Sequence, residues 1–210
     1  MIIRNFLSIL FIWLLSSGSV SAIILTLDND ANIQIPITHD GIYLDFTDSN
    51  DASAYTLSTS EPANWDINPF YGGGAVGTSN TFLPVLASTA TNSALLNLSL
   101  GTSVGPGSDF PSSYSGSSTH MGLGAGQFES GSSGYLGFIL NPGVDDYYGW
   151  MKITLNDDGT SGTIHTWAWE TSGASIQVGA VPEPANTGLL LGLGIVAVTF
   201  FPRRRFLNRL

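Results

Sequence analysis

Short windows of alternating apolar and polar residues run through this chain from Ile23 onwards, and no helical period lasts beyond one turn. Examples are Ile23 to Asp28, Ile33 to Ile37 and Gly41 to Thr47, each broken by Asp, Asn or Gly. Alternation with a period of two is typical of half-buried β-strands. The pattern predicts an all-β domain, which we expect to be a two-sheet antiparallel sandwich of the jelly-roll type.

The clearest strand signals lie near the end of this domain. Strands are predicted at Tyr135 to Leu140, Tyr147 to Leu155 and Gly162 to Thr171. The turn sequence Asn156 to Gly159 separates the last two, so these should form an antiparallel hairpin.

Large side chains in this hairpin predict its packing. Trp150, Ile153 and Leu155 do not all share one parity, which indicates either a β-bulge or a strand buried on both faces. Trp167 and Trp169 do share parity and should be buried on one face, in the core. His165, which precedes them, is expected on the face opposite the aromatic residues and exposed.

The middle of the domain is less regular. Ser53 to Thr59 predicts a strand, whereas Asn64 to Ala87 is interpreted as a long loop with aromatic anchors. Ser93 to Val104 fits either a strand or a helix. Gly105 to Ser133 is rich in Gly and Ser, and we expect it to be exposed and mobile.

The first 22 residues have the three parts of a secretory signal peptide. Arg4 supplies the positive charge, Phe6 to Leu15 an apolar core, and Val20-Ser21-Ala22 a small-residue cleavage site. We therefore expect export through the secretion translocon and cleavage after Ala22 by signal peptidase. The exported β-domain then spans residues 23–180.

Residues 181–210 also have three parts. Pro182, Glu183 and Pro184 disfavour a helix and keep the backbone open to an enzyme. The uncharged run from Ala185 to Phe201 predicts a transmembrane helix, although its 17 residues give only about 26 Å against a hydrocarbon core of about 30 Å. The basic tail should remain on the cytoplasmic side, held by Arg203, Arg204, Arg205 and Arg209.

In this order, the three parts resemble the PEP-CTERM sorting signal of Gram-negative bacteria. The resemblance implies that the chain is a substrate of exosortase, cleaved near Pro182-Glu183-Pro184. It also implies a transient membrane anchor and a final place at the cell surface or in an extracellular biofilm matrix of exopolysaccharide. A plain single-pass anchor is the alternative. Tyr147 to Gly179 is similar to a segment that precedes the tail in many such proteins, which implies a shared hairpin and no shared activity.

Charge is distributed unevenly along the chain. Lys152 is the only Lys or Arg in residues 23–180, whereas fifteen of the sixteen Asp and Glu residues lie there. The exported part, with a net charge of about minus fourteen, would repel nucleic acid and anionic membranes. Because the chain has no cysteine, its stability must come from packing, bound ions or assembly.

Two enzyme-like motifs lack the context that their chemistry needs. Residues 72–77 match GxGxxG, but no strand–helix pattern surrounds them. Residues 101–105 match GxSxG, but Pro106 and Gly107 stand where a helix should follow Ser103. No catalytic residue is assigned, and we expect the chain not to be an enzyme.

Calcium is the one cofactor left open. Asp28, Asp30 and Asn32 have the spacing that opens an EF-hand, but Ile33 and His39 occupy the positions of its Gly and Glu. The three histidines are too scattered for a metal motif, and no metal ligand is assigned. A looser calcium site remains open among the turn carboxylates Asp40, Asp45, Asp48, Asp51, Asp157 and Asp158.

Aromatic residues provide a candidate contact with polysaccharide. Trp65 lies in a predicted loop and is therefore the best candidate for a ligand contact. The main functional hypothesis is a structural or adhesive protein of an exopolysaccharide matrix. The alternative is a carbohydrate-binding sandwich module, with or without calcium.

Overall fold

The computed structural model describes residues 23–27, 31–71, 75–87, 95–111, 116–119, 128, 131–155 and 162–182, of which 70, 71, 75 and 116–119 are described by their backbone alone. Regular structure in these ranges consists of antiparallel strands, which confirms the all-β class. The strands are β1 (Ile24–Thr26), β2 (Ile33–Ile35), β3 (Tyr43–Phe46), β4 (Tyr55–Ser58), β5 (Ile67–Tyr71), β6 (Ala75–Thr78), β7 (Phe82–Pro84), β8 (Asn97–Leu98), β9 (Ser103–Val104), β10 (Gly116–Thr119), β11 (Ser133–Leu140), β12 (Tyr147–Thr154), β13 (Gly162–Glu170) and β14 (Ile176–Gln177).

The larger sheet is centred on β11, β12 and β13, the three long strands that the sequence predicts. At one edge β13 pairs with both β1 and β2, and at the other β11 pairs with both β7 and β8. Each edge is thus made of two short strands, which limits edge-to-edge pairing with other chains. β2 is short and ends before Pro36, as expected for a residue that cannot donate to a ladder.

A second sheet has the strand order β10, β6, β5, β3, β4, and β9 pairs separately with β14. Side chains from both sheets meet in one hydrophobic core, so the arrangement is β-sandwich-like. Phe46 of β3 shows this contact, because its ring lies 5.4 Å from Trp167 and 6.4 Å from Phe138, centroid to centroid. These rings hold the two sheets together.

The larger sheet is buried on its other face as well. A second apolar cluster includes Tyr148 and Trp150 of β12, and it packs against Val104, Ile176 and Val178 around the β9–β14 pair. Side chains of β12 therefore enter one apolar cluster on each face of the sheet. This confirms the expectation that it is buried on both faces.

The β12–β13 pair also contains a register shift, but its extra residue lies on β13 and not on β12, where the parity of Trp150, Ile153 and Leu155 had left a bulge as the alternative. Lys152 is opposite Thr166 and Ile153 is opposite Ile164, so His165 is the extra residue. The bulge allows Ile164 and Trp167 to enter the same core although their parities differ. His165 is half-buried rather than exposed, because its Nε2 lies 2.8 Å from Thr154 Oγ1.

The middle of the chain contains more strand than the sequence indicated. The interpretation of Asn64 to Ala87 as a long loop is wrong, since β5, β6 and β7 lie within it. These strands were missed because Pro69, Pro84 and three successive glycines interrupt the alternation of apolar and polar residues. Ser93 to Val104, which fitted strand or helix, contains β8 and β9.

Part of the Gly- and Ser-rich segment is also ordered. β10 pairs with β6, and Phe128 is buried in the main core. The prediction that the whole of Gly105 to Ser133 is exposed is therefore wrong. The Gly- and Ser-rich composition indicated exposure, but contacts between Phe128 and the main core bury this residue.

Candidate functional site

A groove of about 500 Å³ lies at one end of the fold, where segments from both sheets meet. It is lined by residues 45–47 at the end of β3, 63–66 before β5, 79–81 between β6 and β7, and 141 after β11. Loops at the end of a strand framework are a common position for binding residues.

Trp65 lines this groove and is half-buried. Its ring meets that of Tyr43 edge to face, with centroids 5.1 Å apart and an interplanar angle of 79°. Tyr43 itself is only 2% exposed, so it supports Trp65 from the domain side. The indole is therefore held in position, and part of its surface remains accessible.

Asp66, the next residue, fixes the base of the groove. Its Oδ2 accepts a hydrogen bond of 2.7 Å from the Phe46 amide, and its Oδ1 accepts one of 2.5 Å from the Thr81 hydroxyl. Its backbone donates to Leu44 O and accepts from the Ser79 amide. One side chain thus joins the end of β3 to the turn before β7.

The pKa of the Asp66 carboxyl reflects its burial at the base of the groove. Burial raises the pKa of this carboxyl above its usual value, the hydrogen bonds from Thr81 and Phe46 oppose the rise, and the charge of Asp45 adds to it. Both Asp66 oxygens accept hydrogen bonds from protein donors, which leaves neither positioned to give a proton to a ligand.

The Ser79–Thr81 turn is organised by its own side chains. Ser79 Oγ lies 2.6 Å from Thr81 Oγ1 and accepts from the Thr81 amide. The Thr81 carbonyl accepts from the amide of Asn141, whose φ of 51° is left-handed. Asn80, between the two hydroxyl residues, is exposed on the groove.

Four polar side chains on the groove make no hydrogen bond to any other residue that the structure describes: Asp45, Asn64, Asn80 and Asn141. The indole N–H of Trp65 likewise has no acceptor in the described ranges. Amides both donate and accept, and a carboxylate accepts. The groove therefore offers both kinds of hydrogen-bonding group around an aromatic surface.

The carboxylates considered for calcium do not come together. Asp48 accepts from the Asn50 amide, and Asp51 accepts from the amide and hydroxyl of Ser53, as in Asx turns. Asp40 is exposed before β3, and only Asp45 lines the groove. Among the described residues no three His, Asp or Glu side chains form a group that could hold a metal ion. Asp157 and Asp158 lie outside the described residues.

The hairpin tryptophans belong to the core, as the sequence predicts. Trp167 and Trp169 have no exposed surface, and Trp150 is 3% exposed in the second cluster. Ser103 of the GxSxG motif lies on β9, opposite Gln177, and is exposed. Of the GxGxxG motif, Ala75, Val76 and Gly77 form part of β6.

Most of the predicted export and sorting residues lie outside the described residues. This is true of Ala22, Glu183, Pro184, Ala185 to Phe201 and the four tail arginines. Pro182 is described and is exposed, directly after Val181, which is 58% exposed. None of the described ranges contains a helix with the length and apolar character that a bilayer span requires.

Comparison with known proteins gives no family to which the chain can be assigned. No family model, no curated protein and no solved structure matches it. The groove is therefore interpreted from its own chemistry.

Sequence reasoning selected Trp65 and missed the residues around it. Asp66, Asn80 and Asn141 come from three segments that are far apart in the chain. The polar clusters Asn64-Trp65-Asp66 and Ser79-Asn80-Thr81 beside apolar strands were the available signal. Their meeting at one groove depends on strand pairing that no local pattern shows.

Proposed function

We propose that this chain is an exported protein, sorted to the cell envelope by its C-terminal segment and processed there by an exosortase. The mature domain, a two-sheet sandwich of jelly-roll type, serves as a structural or adhesive component of an exopolysaccharide matrix. The observation that carries this proposal is the ordered sequence of Pro-Glu-Pro, uncharged run and arginines in residues 181–210.

The end of the described domain supports access by a peptidase. Val178 is buried and its amide donates to Thr102 O, and the Ala180 amide donates to Gln177 O. Val181 and Pro182 then turn outwards to solvent. The folded domain thus ends just before the motif, so that cleavage there would leave its core intact.

The charge of the exported part supports a hydrated extracellular role. Fifteen carboxylates against Lys152 give residues 23–180 a strongly negative net charge, which favours hydration and repels anionic phosphate polymers. A matrix protein of this type would remain dispersed among polysaccharide chains.

The test is mass spectrometry of the C-terminus of the protein recovered from the envelope of an exosortase-containing host. We expect a mature chain that ends near Pro182 and begins at Ile23. The double variant Glu183→Ala/Pro184→Ala should keep its full C-terminus. Glu61→Ala/Pro62→Ala is the matched control, because it changes the same dipeptide in a loop of the domain. An intact C-terminus in the unmodified protein, in cells with active exosortase, would contradict the proposal.

The groove favours a second function, which is binding of a glycan by the mature domain. An aromatic ring can pack against a sugar, and amides without a hydrogen bond in the described part of the chain can hydrogen-bond its hydroxyls. Loss of polysaccharide binding in Trp65→Ala would support this function, and loss on adding a chelator would indicate its calcium-dependent form.

A further inference from the structure

We propose that the groove beside Trp65 binds uncharged sugar units of a polysaccharide directly, without a calcium ion. The inference rests on the glycan-binding function proposed above and names its ligand class. Three features of the groove carry it: the supported indole, the amides that make no hydrogen bond to any described residue, and the sign of the charge.

The indole of Trp65 provides the apolar contact. A pyranose ring has a face of C–H groups that packs on an aromatic ring, with its hydroxyls around the rim. Trp65 is half-buried and fixed edge to face on Tyr43, so little side-chain freedom is lost when a ligand binds. The groove volume of about 500 Å³ is enough for one or two sugar rings.

The amides of Asn64, Asn80 and Asn141 provide the polar contacts. Each sugar hydroxyl both donates and accepts, and an amide can meet it in either sense. These three side chains line the groove and make no hydrogen bonds within the described part of the chain. They come from three separate segments, so they surround a ligand instead of contacting one side of it.

The charge of the groove selects against acidic sugars. Asp45 and Asp66 line it, and the described lining contains no Lys or Arg. Lys152 lies away from the groove, on β12 opposite Tyr135 and Thr166. A uronate would meet negative charge without a balancing cation, whereas the Asp45 carboxylate can accept hydrogen bonds from neutral hydroxyls.

The same residues argue for direct binding. A calcium ion takes six to eight oxygen ligands from carboxylates, carbonyls and waters, and its affinity depends on the number of charged ligands. The described lining holds only two carboxylates, Asp45 and Asp66, and Asp66 is engaged by the Phe46 amide and the Thr81 hydroxyl. Among the described residues no three His, Cys, Asp or Glu side chains form a group that could hold a metal ion. Sugar hydroxyls are therefore held by protein groups alone.

The test is isothermal titration of the full chain, in mild detergent, with hexasaccharides of neutral glucan, mannan and galactan type and with hexagalacturonate. At least one neutral hexasaccharide should bind, with an unchanged dissociation constant in EDTA. Trp65→Ala should weaken that binding by about tenfold or more, and Asn80→Ala by about threefold to tenfold.

Matched controls lie outside the groove. Tyr135→Ala removes another half-buried aromatic with an edge-to-face partner, and Asn50→Ala removes another exposed amide in a turn. Both should leave affinity unchanged, and the near-ultraviolet circular dichroism of each variant checks that it is folded.

Other outcomes separate this inference from the functions on which it rests. Preferred binding of hexagalacturonate, or loss of binding in EDTA, would overturn the proposed ligand class while leaving glycan binding in place. Binding that Trp65→Ala does not change would overturn the site. No binding to any hexasaccharide would overturn both, whereas C-terminal processing, measured separately, would stand.

Discussion

Trp167 and Trp169 on β13 and Trp65 before β5 are the same residue type in opposite surroundings. The two strand residues have no exposed surface, and their indole N–H groups donate to Ala52 O at 2.9 Å and Ser49 O at 2.7 Å. These carbonyls belong to the segment between β3 and β4, so each bond also joins the two sheets. Trp65 keeps accessible surface beside the groove, and its N–H has no acceptor within the described ranges.

The comparison separates what holds the fold together from what can bind a ligand. A core tryptophan has both its apolar surface and its donor satisfied by the protein, which leaves nothing for another molecule. Trp65 is only partly satisfied, although it is fixed on Tyr43. Stability should therefore respond to changes at β13, and affinity to changes at Trp65.

The largest expected effect is that of Trp167→Ala. The variant opens a cavity among Phe46, Tyr55 and the rest of the core and removes the hydrogen bond to Ala52 O. We expect the free energy of unfolding to fall by about 3–5 kcal/mol, measured by urea denaturation. Trp65→Ala should cost less, about 1–2 kcal/mol, because it removes a half-buried ring and its contact with Tyr43. Equal losses at the two sites would contradict the distinction between core and groove.

Gly149→Ala tests how closely the large sheet is packed. A Cβ at this position would meet the ring of Phe138 and would lie 2.7 Å from Ala168 O, which is backbone and cannot move away. Overpacking of this kind costs about 1–3 kcal/mol, readable as a shift of the denaturation midpoint. Gly107→Ala, where no atom lies within 4 Å, is the control and should be close to neutral.

A third prediction compares the two faces of the large sheet. Trp169→Phe leaves Ser49 O without its donor and should cost about 1 kcal/mol beyond the loss of ring size. Trp150 has a buried Nε1 that donates to no described residue, so Trp150→Phe should lose only the difference in packing. Thermal denaturation of both variants tests this order. A larger loss in Trp150→Phe would mean that its N–H has a partner.

The smallest expected effect is a pH dependence at the groove. Since burial raises the pKa of Asp66 in the folded state, that state holds its proton to a higher pH than the unfolded chain does. The stability of the wild type relative to Asp66→Asn should thus fall as pH rises from about 4 through the folded pKa, and then stay constant. Urea denaturation between pH 3.5 and 7 would show it.

Asp51→Asn is the control of opposite sign. The side-chain and backbone hydrogen bonds from Ser53 lower the pKa of the exposed Asp51 carboxyl. The Asp51 carboxylate should therefore stabilise the wild type relative to this variant above the pKa that Asp51 has in the unfolded chain. This contribution should be lost as pH falls through the lower pKa that Asp51 has in the folded state. The same slope in both variants would indicate that burial does not govern Asp66.

Much of the fold could be predicted because its signal is local. Strands β11, β12 and β13 run over eight or nine residues and carry their own aromatic side chains, so the antiparallel hairpin was visible in the sequence. Strands β5, β6 and β7 were not. They are shorter, contain proline and glycine, and exist because they pair with partners such as β3, β10 and β11.

The sequence by itself determined the all-β class, the position of Trp167 and Trp169 in the core, and the uneven charge of residues 23–180. Each of these follows from residues that are neighbours in the chain, since periodicity and composition act locally. Only the tertiary structure decided that Trp65, Asp66, Asn80 and Asn141 share one groove. Their meeting depends on pairing between segments up to 76 residues apart, such as the Asn141 and Trp65 loops, and no local pattern encodes such a distance.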